Sequence, residues 1–143
     1  MSGLDTLVRL HRWRVDEKQR QVATLQRMLS DLEARIEGLS ADMKREGDLA
    51  SANPEFAPAF PVYLTGARHR QAVLRKSCAE VNTQIETARE ELNATFRELK
   101  KYEIAAENRA KRTNMALARK VRAEMDEIGA DGYRRRQREA RST

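Results

Sequence analysis

The residue types that most often carry chemistry are few and scattered in this 143-residue chain. One cysteine, Cys78, and two histidines, His11 and His69, stand far apart, which leaves no internal disulfide and no cluster with zinc spacing. Acidic neighbours occur at Glu90–Glu91 and Asp126–Glu127. On a helical face such carboxylates pair with Lys or Arg one turn away rather than hold a metal. There is no glycine-rich phosphate loop, no nucleophile elbow, no His/Asp/Ser constellation and no pair of histidines on one helix face. The chain is expected to be no enzyme, to hold no cofactor or metal, and to take no small-molecule substrate.

Charge is the stronger signal. The formal net charge is +6, and it is unevenly placed: basic and acidic residues number 9 and 9 over residues 1–50, 7 and 6 over 51–100, and 12 and 7 over 101–143. Beyond Lys101 the basic positions are Arg109, Lys111, Arg112, Arg119, Lys120 and Arg122, followed by a tail from Arg134 to Arg141. Such a run neutralises phosphates and gives salt-sensitive binding to nucleic acid. It docks equally well against an acidic groove of a protein, and the lack of clustered aromatics along it favours the protein over a single strand. Membrane binding is disfavoured, because the apolar face of Leu117, Val121, Met125 and Ile128 is narrow and without interfacial aromatics.

The elements that position these residues are helices. Charged residues make up 35% of the chain and aromatics 5%, with only six glycines and three prolines, a composition suited to long helices and not to a globular core. From Val22 to Met43, apolar residues fall at Val22, Leu25, Leu29, Leu32, Ile36, Leu39 and Met43, in steps of three and four, which is a heptad seam. Extended backwards it takes in Lys18, Val15, His11, Val8 and Leu4. The two polar members, His11 and Lys18, predict looser packing in this terminal third than around Leu25 to Leu39. Ser2 and Asp5 suit a helix start near residue 3. Trp13 is off the seam, either an anchor for a partner or a cover for the seam's flank.

Pro54, Pro58 and Pro61 mark a chain reversal over residues 51–61. Pro61 suits the first turn of a second helix, and Phe56 and Phe60 are expected to cap the open end of the seam. That helix, over residues 62–128, carries its own stripe at Leu74, Cys78, Val81, Ile85, Ala88, Leu92, Thr95, Leu99, Tyr102 and Ala106. Cys78 is read here as a small hydrophobe. Beyond Ala106 the apolar positions slip to Leu117, Val121, Met125 and Ile128, as at a stutter. The expected fold is all-α: a two-helix antiparallel coiled-coil hairpin with the second helix longer than the first, helix one over residues 1–50. The helices would run roughly 70 Å and roughly 100 Å, a rod with one bare end. Gly129 and Gly132 are expected to stop helix two, leaving residues 129–143 as a disordered basic tail.

Two segments, LDTLVRLHRWRVDEKQRQ near the start and ELKKYEIAAENR late in helix two, resemble the FliJ family of flagellar export. The cluster Leu4, Leu7, Val8 and Leu10 precedes a charged Val15 to Lys18 stretch, and the segment from Leu99 to Glu103 is similar to the family's late Leu-x-x-Leu/Tyr-Glu region. The likeness runs from residue 1 to about 125; Trp13 and the arginine-rich tail depart from it. YscO-like injectisome stalk proteins share the hairpin form. The resemblance implies a cytoplasmic component of the type III export apparatus, at the cytoplasmic face of the inner membrane, whose coil enters the central pore of a hexameric export ATPase. It also implies contacts with the export gate protein FlhA and with export chaperones. The residues expected to meet the ATPase are Leu4, Val8, Trp13, Arg109, Lys111, Arg112, Arg119, Lys120 and Arg122. Those expected to meet the gate are Leu39, Met43, Tyr63 and Leu64. The alternative functions are a coiled-coil nucleic-acid binder and a structural homo-oligomeric scaffold.

Overall fold

The computed structural model describes residues 3–142, so the reading of Ser2 as a helix cap lies outside the described residues. Two helices account for almost all of them: α1, Gly3–Ala52, and α2, Phe60–Arg141. The fold is the two-helix hairpin with the longer second helix that the two seams require. The chain divides into two compact units, Leu10–Glu98 and the residues up to Arg9 together with those from Leu99 onward.

In the first unit, the turn begins where Asn53 continues the backbone pattern by donating to Leu49 O at 3.0 Å while its side-chain amide donates to the same oxygen at 3.1 Å. Pro54 then forbids helical geometry at its predecessor, and α1 ends. Pro61 falls in the first turn of α2, where its missing amide proton leaves no hydrogen bond unmade. Phe60 is helical, not part of the turn, and its ring lies over Gly47, where an added Cβ would stand 3.3 Å from Phe60 Cζ. Phe56 does not cap the seam; it is 59% exposed.

The antiparallel register is held by two polar contacts, each from a seam residue of one helix to the other helix. Lys18 Nζ reaches Glu91 Oε2 at 2.9 Å. Buried Gln71 donates through Nε2 to Ile36 O at 3.2 Å and to Ser40 Oγ at 2.7 Å. A polar group in a seam specifies register because any slip leaves it desolvated and unpaired. Gln71 and Ala67 also extend the stripe of α2 back toward Leu64 and Phe60, further than its apolar residues alone indicate.

Packing is tightest where the sequence suggested it would be loosest. Val15 and Val22 are buried along with His11, whereas Leu25, Leu29, Leu32, Ile36, Leu39 and Met43 are half-buried. Most leucines of the seam keep an edge in water, whereas the shorter valines are covered by the single facing helix. Facing them, Val81, Ile85 and Ala88 are buried. Half-buried Thr95 donates its hydroxyl to Glu91 O at 2.8 Å, which satisfies it within the seam.

In the second unit, Val8 and Leu99 are buried and Leu4, Tyr102 and Ala106 half-buried. α2 then runs on alone, and it does not stop at Gly129. It passes through Gly132 to Arg141, and among the described residues no glycine has positive φ, so the left-handed cap that ends many helices is missing. Helical glycine costs about 1 kcal/mol relative to alanine, which the Ala, Arg and Glu residues around it outweigh. Both glycines have open space where a Cβ would sit. Gly129→Ala with Gly132→Ala should therefore raise thermal stability of the distal turns by about 1 kcal/mol per site. Temperature-dependent circular dichroism of the full chain checks this; an unchanged melting of the helical signal refutes it.

Candidate interaction surfaces

From Glu107 to Arg141 every residue of α2 except Gly132 is exposed. Large apolar side chains there keep more than half their surface in water: Met115, Leu117, Val121, Met125, Ile128 and Tyr133. The expected basic residues Arg109, Lys111, Arg112, Arg119, Lys120 and Arg122 all lie on this stretch and all are exposed. Lys111 is partly engaged, its Nζ 3.3 Å from Glu107 one turn earlier. Where α1 begins, Asp5 and the α2 residues Ala106, Arg109, Ala110, Thr113 and Asn114 line an open groove of about 280 Å³.

Leu4 and Val8 do not share this exposure. Val8 is buried and Leu4 half-buried, because both are seam positions that hold the first turns of α1 against α2. The apolar side chain left facing solvent beside them is Leu7, 37% exposed. Trp13, in the other unit, falls midway between seam positions His11 and Val15, which puts it on the outer face of α1. It is 56% exposed and does not cover the seam's flank.

The residues expected at the gate contact are all half-buried, and three of them, Leu39, Met43 and Leu64, are spent on the seam. Tyr63 differs. Its ring centroid is 6.4 Å from that of Phe60, with the planes tilted by 30°. It helps to line a cleft of about 300 Å³ beside the turn, together with Glu46, Leu49, Ala50, Phe56, Ala59 and Phe60. Spacing alone did not single out Leu49 because it falls off the heptad seam; its neighbourhood to the proline cluster was the available signal. Apolar walls with one carboxylate suit an apolar anchor carried next to a basic residue.

A model of the family described as Flagellar FliJ protein matches residues 1–138. The chain belongs to the FliJ family. The FliJ family is a non-enzymatic component of the flagellar export apparatus. The match reaches beyond the likeness legible in the sequence and takes in most of the arginine-rich segment, as well as Trp13. Neither a curated protein nor a solved structure matches the chain. Among the described residues, no helix is long and apolar enough to cross a membrane.

Proposed function

We propose that this chain is a coiled-coil stalk of the flagellar export apparatus, working at the cytoplasmic face of the inner membrane. Its bare α2 segment and the start of α1 enter the central pore of the hexameric export ATPase, and the turn end engages the export gate protein FlhA and export chaperones. The observation that supports this most directly is the exposed, basic continuation of α2 past Ala106 in a chain of the FliJ family. A helix with exposed cations along one side suits a pore lined by carboxylates, where charge complementarity sets orientation and encounter rate. In this reading Arg109, Lys111, Arg112, Arg119, Lys120 and Arg122 make the contacts. Leu4 and Val8 hold the start of α1 in place for them, and Trp13 adds an aromatic anchor.

The test is to add the full chain to the purified hexameric ATPase at low salt. Binding and a rise in ATP hydrolysis are expected, both weakening as salt is raised. Absence of both at low salt overturns the reading. At the turn end, Leu39, Met43 and Leu64 maintain the surface and Tyr63 contacts the gate within the cleft. Phe56→Ala with Tyr63→Ala should weaken gate binding by about tenfold to a hundredfold, as removal of aromatic anchors does. Helicity should be unaffected, Phe56 being exposed and Tyr63 half-buried. Calorimetric titration against the purified gate domain checks this, and unchanged affinity removes the cleft from the contact.

A further inference from the structure

The stretch of α2 around Ala123 has a symmetry that neither a stalk contact nor a solvated helix face requires. Basic residues stand one, three and four positions before Ala123, at Arg122, Lys120 and Arg119, and acidic residues stand one, three and four positions after it, at Glu124, Asp126 and Glu127. Apolar residues flank the same centre: Val121 and Met125 two positions to either side, Leu117 and Ile128 further out. Those four are 55–72% exposed, and at 100° per residue they form one stripe along the helix. Among the described residues, none of the six charges forms an ion pair within 4 Å, although Lys120 and Glu124, and Arg122 and Asp126, are each one turn apart.

We infer that this segment is a self-association surface, and that its partner is the same segment of a second copy, packed antiparallel about a two-fold axis level with Ala123. A two-fold contact must be self-complementary, each residue type meeting its opposite. In this arrangement Val121 faces Met125 of the second copy, and Leu117 faces Ile128 of the second copy, so each apolar layer is filled twice. Antiparallel helices bring like flanks together. Lys120 then faces Glu124 and Glu127 of the second copy along one flank, and Arg122 faces Asp126 of the second copy along the other. A parallel pair brings unlike flanks together and would set Lys120 beside Arg122 of the second copy and Glu127 beside Asp126 of the second copy, which is repulsive.

This inference concerns a second copy and stands apart from the ATPase reading, although Arg119, Lys120 and Arg122 serve both, so the two contacts exclude each other. Sedimentation of the full chain at low salt, from about 1 µM to about 1 mM, should show a monomer passing to a dimer. Val121→Asp should abolish the dimer, because it puts two unpaired carboxylates into the apolar layers. Lys120→Glu should weaken it by about tenfold or more, since the change occurs twice per dimer. Adding Glu124→Lys and Glu127→Lys to that variant should restore it. All four positions are exposed on the helix, so each variant should remain helical, which circular dichroism checks. A wild-type chain that stays monomeric throughout, a dimer that survives Val121→Asp, or a triple variant no tighter than Lys120→Glu overturns the inference. ATPase stimulation is read separately, so failure of the stalk reading is distinguishable.

Discussion

Replacing Ile85 with alanine should lower the unfolding free energy by about 3 kcal/mol, within the range seen when a buried isoleucine is truncated. Ile85 is 5% exposed, and it is the largest of the aliphatic side chains buried in the Leu10–Glu98 unit. A two-helix hairpin offers no third layer that could move in to fill the vacated volume. Among the described residues no large side chain is fully buried, so stability is spread thinly along the seam and one lost contact is a large fraction of the total. Leu117→Ala removes a similar volume from an exposed site and should change stability by no more than about 0.5 kcal/mol. Urea unfolding followed by circular dichroism gives both values. A loss below about 1 kcal/mol at Ile85 would show that the seam tolerates a cavity there and that its burial is not what holds the helices together.

Reversing three charges, Arg109→Glu, Arg112→Glu and Arg119→Glu, should weaken binding to the export ATPase by about a hundredfold or more at low salt. Each reversal exchanges an attraction for a repulsion, and three such changes at roughly 1 kcal/mol each reach that factor. Most of the loss should appear in the association rate, because these arginines are exposed and act at a distance before contact. The difference between wild type and variant should shrink as ionic strength rises and the Debye length shortens. Folding should be untouched, since none of the three is ion-paired among the described residues. Stopped-flow binding at two salt concentrations checks the prediction. A variant that binds and activates like wild type would move the contact away from this face.

Several features of the fold were legible before any coordinates because they follow from periodicity. Steps of three and four from Leu4 to Met43, and again from Leu74 to Ala106, each mark one face of a helix, and every one of those positions is buried or half-buried. Where periodicity was broken by polarity, the sequence misled. Gln71 lies outside the apolar stripe that begins at Leu74, yet it is buried in the seam because Ile36 O and Ser40 Oγ satisfy its amide. Gly129 and Gly132 read as a stop until the backbone shows no left-handed residue to make one. Phe56 and Phe60 read alike, yet Phe60 settles over Gly47 and Phe56 lines an open cleft.

The interaction surfaces divide in the same way. The basic run from Arg109 to Arg122 and the antisymmetric charges about Ala123 are properties of order along the chain, and a helix simply displays them. Leu4, Val8, Leu39, Met43 and Leu64 are expected at contacts through the family resemblance, and in the structure they are also seam residues that the facing helix covers wholly or in part. By itself, then, the sequence determined the helices, their seams and the charge pattern, all of which are set by spacing of 3.5 residues per turn and by residue type. Only the tertiary structure decided which apolar side chains remain for a partner, because that depends on how far each one reaches past the single helix that covers it.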